Sequence, residues 1–227
     1  MKVTLIAATQ PLIEGITTID QLIAYAARVS NPSNQMNNET APKLLGYCIK
    51  HGHWSVFETA SFTVEIETSL AIAMQILRHR SFTFQMFSQR YAEVSKLGQL
   101  LEPVTLRAKA IGGNRQGSVE AEQMASPQLD FACAVENATR EYGMLLSENV
   151  APESARFVLP QCTKTRLYMT GNIRSWIHYL QQRTDPHAQK EHRDVAQEVL
   201  RIFADLCPVT YQACIETEIP ARKVLPS

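Results

Sequence analysis

Two spacings of apolar residues organise the chain. From Ala60 to Glu67, Phe62, Val64 and Ile66 alternate with polar positions, the period of a half-buried strand. Val3–Ala8 reads as a first strand. Helical spacing takes over elsewhere. Thr17-Thr18-Ile19-Asp20 offers a hydroxyl cap and a first-turn acid, with Leu22, Ile23, Ala26 and Val29 on one face. Thr40–His51 predicts a second helix, closed by Gly52. Ser69 is expected to cap a helix from Leu70 to about Arg80, and Phe87–Val94 to form another strand. Later helices are predicted over Gln128–Val150, Pro152–Leu159, Asn172–Gln182, Glu191–Leu206 and Pro208–Ile215. Residues 103–127, rich in Gly, Ser, Gln and charge, read as a surface excursion and not as a boundary. Strands early and helices late predict an α+β fold. The expected architecture is a single domain over 1–227, with an antiparallel or mixed sheet and a largely helical C-terminal half.

Composition narrows the function classes. The chain has 227 residues, 45% hydrophobic and 19% charged, which suits a buried core and excludes disorder. Lys+Arg and Asp+Glu are 22 each, so no global basic field for nucleic acid exists. The longest apolar run, Leu70–Leu77, broken only by Gln75, is far short of the roughly twenty residues of a membrane span. The N-terminus does not read as a secretory signal. Five cysteines with no CxxC pair fit reduced thiols in a cytoplasmic protein.

One segment is too polar to be explained by core packing. Arg78 to Tyr91 holds three arginines, His79 and several hydroxyl or amide groups, interleaved with Phe82, Phe84 and Phe87. Arginine forks match phosphates and aromatic rings stack on flat heterocycles, so the segment suits a phosphorylated, planar ligand. A solvated helix end, its cations complementing the dipole, accounts for Arg78-His79-Arg80 as well. Gln75 and Arg78, at i, i+3, are expected to share a helix face. Downstream, Arg156 precedes an apolar run. Arg174 and His178 lie one turn apart on the helix that starts at Asn172, whose N-terminal amides suit an anion.

Arg78-His79-Arg80, seven residues, then Ser88 resembles the signature of the flavin-dependent thymidylate synthases. The blocks His51-Gly52-His53, Ser88-Gln89-Arg90-Tyr91, Ala155-Arg156 before Val158-Leu159-Pro160, Asn172-Ile173-Arg174-Ser175, and Arg183 before His187-Ala188-Gln189 follow in that family's order. The resemblance spans about Val3 to Ile215. It implies reductive methylation of dUMP to dTMP, with methylenetetrahydrofolate as carbon donor, NADPH as reductant and FAD as hydride carrier. It also implies an α+β fold and a homotetramer with shared sites. By resemblance, dUMP takes Gln75, Arg78, Ser88, Gln89, Arg90, Arg156 and Arg183, with Arg90 and Arg156 as phosphate clamps. FAD takes His53, Ser55, Arg78, His79, Arg80, Met86, Asn172, Arg174 and His178. Met86, where many relatives carry an acid or amide, is left with packing or backbone contacts. Arg183 falls to the catalytic role, stabilising negative charge at the uracil N3/O4 edge. The chain has no GxGxxG, so no Rossmann-style flavin site is expected.

Three rival readings compete with this one. A cysteine nucleophile at Cys162 needs a lowered thiol pKa and a base, and no histidine lies within fifteen residues of it. A non-catalytic nucleotide- or nucleic-acid-binding protein would use the Arg78–Arg90 patch. A metal site is not expected, because the six histidines form no HExxH or Cys/His framework. No membrane partner is expected.

Overall fold

A computed structural model describes residues 1–110, 117–120 and 124–217. Strand β1 (Lys2–Ala8), β2 (Ser61–Ser69), β3 (Thr83–Met86) and β6 (Lys164–Asn172) form a four-stranded antiparallel sheet in the order β1-β2-β6-β3. Helices α1 (Ile19–Ala27), α2 (Ala41–Lys50), α3 (Leu70–Ile76), α4 (Ala125–Ser147), α5 (Pro152–Ala155), α6 (Ile173–Arg183), α7 (Lys190–Leu206) and α8 (Pro208–Glu216) complete the α+β architecture. A two-stranded ribbon, β4 (Ala108–Lys109) with β5 (Ser118–Val119), lies in the excursion expected over 103–127. No helix among the described residues is long and apolar enough to cross a membrane.

The chain divides into two compact units. One takes Lys2–Ile66, Ile76–Gln85 and the chain from Tyr168; the other takes Met1, Glu67–Gln75 and Met86–Leu167. In the first unit α2 packs on α8 and α1, and α6 packs on α7. The alternation read over Ala60–Glu67 buries Phe62, Val64 and Ile66. Phe62 stacks on Trp176 of α6 at 4.4 Å, and the Trp176 indole donates to the Phe62 carbonyl at 3.3 Å. Strand and helix are thereby locked by one apolar contact and one hydrogen bond. Thr18 and Gln21 close the capping box of α1, as the hydroxyl signal predicted. Asp20 accepts from the backbone amides of Val209 and Thr210 and so caps the start of α8.

Several expectations are corrected. The helix expected to Arg80 stops at Ile76, and Ser69 ends β2 instead of capping it. Arg78 is therefore off the helix and shares no helix face with Gln75. Leu77, Arg78, His79 and Arg80 follow, and the chain leaves the helix through a turn in which the His79 amide donates to the Ile76 carbonyl. The strand expected over Phe87–Val94 lies earlier, at Thr83–Met86; the Tyr91 and Ala92 amides instead fold back onto the Ser88 carbonyl. Strand β6 was not expected at all. Its buried residues Thr165, Leu167, Met169 and Gly171 alternate, but Thr and Gly dilute the apolar signal. Finally, α4 buries only Val135 and Tyr142, while Leu129 is exposed.

Candidate active site

In the unit that contains α6, the site is built on two segments. The Asn172 side chain accepts from the Ser175 amide at 2.8 Å and caps α6. Ser175 Oγ then donates to the Ser81 carbonyl at 3.2 Å, tying the helix start to the turn after α3. Phe82 packs edge-on against Trp176 at 4.6 Å and lies beside Tyr179 at 6.0 Å. Gly171 leaves room for it, since a Cβ there would lie 2.4 Å from the Phe82 ring. This wedge carries His79 inward. The His79 ring is buried and meets Tyr179 at 4.9 Å and His192 at 6.2 Å.

Arg183, in the last turn of α6, donates from Nε to His79 Nε2 at 2.9 Å. Burial, then the Arg183 and His178 charges, lowers the His79 pKa to about 4. Burial lowers His192 to about 3, with Arg183 and His79 adding to it. Burial also pushes the Tyr179 phenol up, against a smaller pull from Arg183. The two imidazoles and the phenol that feel the Arg183 charge are thus uncharged at ordinary pH.

A cleft of about 500 Å³ opens beside these residues, lined by Trp54, Glu58, Ser81, Asn172, Arg174 and His178. That volume lies within the range of ligand pockets, about 300–1,000 Å³. Arg174 Nη1 donates to Glu58 Oε1 at 2.5 Å. An indole, a guanidinium, an imidazole and a capped helix start suit a phosphorylated heteroaromatic group, with Glu58 the counter-ion an anion must displace. His53 and Ser55 do not line the cleft; the His53 ring packs 5.7 Å from Tyr47. Arg78 and Arg80 are exposed.

In the other unit, Arg90 Nε donates to Glu153 Oε2 at 3.2 Å and Arg156 Nε donates to the Glu153 carbonyl at 3.2 Å. The two expected phosphate clamps therefore meet at one residue. Gln89 is buried and its Nε2 has no partner, an orphaned donor next in sequence to Arg90. Gln75, Met86 and Ser88 are half-buried. Cys162 is buried, and burial pushes its thiol pKa up, the reverse of what an attacking thiolate needs. A separate ionic cluster joins Glu67 to Lys164 at 2.9 Å and to Arg166 at 2.5 Å. The Lys164 hydrogen bond leads in holding the Glu67 carboxyl low, against burial.

The model of the family "Thymidylate synthase complementing protein" matches residues 11–209. A probable flavin-dependent thymidylate synthase of Paramecium bursaria Chlorella virus 1 is 47% identical over 208 residues, covering 89% of this chain and 94% of that one. The chain belongs to the flavin-dependent thymidylate synthase family. A Synechocystis member is 42% identical over 222 residues, 95% of this chain and all of its own length. Among solved structures, the UMP/dUMP methylase PolB of Streptomyces cacaoi bound with 5-Br dUMP superposes with a TM-score of 0.81. It is 28% identical, with 97% of each chain covered. The protein is thus an enzyme, and the non-catalytic binding reading of the Arg78–Arg90 patch is set aside.

Three site residues were missed in the sequence. Glu153, in α5, stands three residues before Arg156, which follows that helix, a spacing that offered a signal. Glu58 and Trp54 sit on a short 3-10 turn, Trp54–Glu58, and no motif marks them.

Proposed function

We propose that the protein methylates dUMP to dTMP, with methylenetetrahydrofolate as carbon donor and NADPH as reductant, and with no enzyme thiol attacking the ring. The carrying observation is Arg183: a guanidinium whose one described hydrogen-bond partner is a neutral imidazole. Uracil C5 becomes nucleophilic only as negative charge builds on the ring. A cation at the N3/O4 edge lowers the energy of that state more than of neutral dUMP. Bound FAD supplies the hydride. The fit of the chain to that cofactor is supported by the donor set of the Arg174 cleft, with Asn172 and His178 beside it.

Arg90 and Arg156 serve the nucleotide phosphate, their guanidiniums already drawn to Glu153. Gln89 supplies a donor that has no protein partner. The raised Cys162 pKa supports a route without covalent attack by that thiol. The same reading has the protein working as a single domain over 1–227, as a homotetramer in the cytoplasm. The test is the purified protein itself. It should be yellow, with FAD released on denaturation, and dUMP should perturb the flavin spectrum. A colourless protein that takes up no added FAD contradicts the reading.

A further inference from the structure

Arginine has no acceptor atom. The Arg183 Nε contact to His79 Nε2, 2.9 Å, therefore fixes the roles of both nitrogens. His79 Nε2 must be bare, and a neutral ring then holds its proton on Nδ1. Among the described residues, no carboxylate pairs with Arg183. The contrast with Arg174, held by Glu58, is electrostatic. A carboxylate orients a guanidinium but cancels its charge; a neutral imidazole orients it and leaves the charge whole.

The imidazole is itself fixed and kept neutral. Tyr179, Phe82 and His192 wall it at 4.9, 6.4 and 6.2 Å. The charged and titratable groups acting on it are Arg183 and His178 of α6, with Tyr179 beside it and His192 of α7. None is a carboxylate, so nothing among them favours an imidazolium. Burial and the Arg183 charge act in the same direction as the hydrogen bond.

We propose that His79 is a positioning residue: its neutral ring, accepting at Nε2, aims the Arg183 guanidinium and leaves the charge uncancelled for the uracil anion. The proposal rests on the reading of Arg183 given above. It assigns the buried His79 side chain to the nucleotide chemistry and not to flavin binding.

The test uses the FAD-loaded enzyme and four variants. His79→Phe keeps the aromatic volume and removes the acceptor. It should slow single-turnover methylation about tenfold, the weight of one lost hydrogen bond. FAD content and flavin reduction by NADPH should not change. His79→Gln places an amide oxygen near the lost nitrogen and should restore most of the rate. In an Arg183→Ala background, His79→Phe should cost nothing further. In the parent enzyme, histidine nitrogen NMR should show one ring, absent from His79→Gln, with a bare Nε2 and a protonated Nδ1. That ring should stay neutral until the pH nears 4. The proposal alone is overturned if His79→Phe slows an already slow Arg183→Ala as much as it slows the parent. Loss of FAD from His79→Phe, or an imidazolium near neutral pH, overturns it as well. Arg183→Ala at the parent rate overturns the Arg183 reading and takes the proposal with it.

Discussion

Arginines are held in two different ways in this molecule. In the unit with Met86–Leu167, Arg90 pairs with the Glu153 carboxylate at an exposed surface, which balances part of its charge, while Arg156 donates to the Glu153 backbone carbonyl. In the unit with α6, Arg183 leans on a buried neutral ring and meets no carboxylate among the described residues. A balanced, exposed cation exchanges one anion for another at little cost, which suits binding. A cation held by a neutral ring gains most when a new negative charge appears beside it, which suits chemistry. The residue type is the same; the partner decides the role.

Arg183→Ala should break this contrast most severely. Its loss should fall on the chemical step by about a hundredfold, with flavin reduction by NADPH nearly normal. Arg183→Lys should rescue little, because an ammonium lacks the planar fork.

Gly171→Ala should come next. Its new methyl would sit 2.4 Å from the Phe82 ring, which packs against Trp176 and beside His79. Overpacking of this kind costs about 1–3 kcal/mol. Thermal unfolding should shift down, and turnover should fall with it as the ring behind His79 moves.

Arg156→Ala should sharpen the other side of the comparison. If it binds substrate phosphate in ground and transition state alike, KM for dUMP should rise about tenfold while kcat holds. A matching fall in kcat would place Arg156 in the chemistry and erase the distinction.

A further effect is on stability against pH. His79 and His192 have pKa values of about 4 and about 3 when folded, each well below the ordinary 6.5. The unfolded chain binds protons first, so stability is full above about 6.5 and falls as the pH drops towards 4 and then 3. His79→Gln should flatten the upper part of that fall in a pH series of melting temperatures.

Much of this was legible in the sequence where one face is strongly apolar. Phe62, Val64 and Ile66 announced β2, and the Thr18 box announced α1. Strand β6 was hidden because its buried face includes Thr165 and Gly171, small or polar residues chosen for neighbours that the sequence does not reveal. The candidate site residues His79, Arg183, Arg90 and Arg156 were marked by their types and order. Their partners were not. Glu153 as the meeting point of two arginines, and an imidazole in place of an acid beside Arg183, arise from contacts 63 and 104 residues apart along the chain. The i, i+3 argument for Gln75 and Arg78 failed because the helix ends between them.

Turnover of dUMP by the purified protein is the most direct test. With methylenetetrahydrofolate, NADPH and FAD present, the account predicts dTMP, its formation abolished when FAD is stripped and restored when FAD returns. Cys162→Ser should make dTMP at close to the parent rate. No dTMP from the FAD-loaded protein, or dTMP that needs Cys162 and not the flavin, would contradict the account.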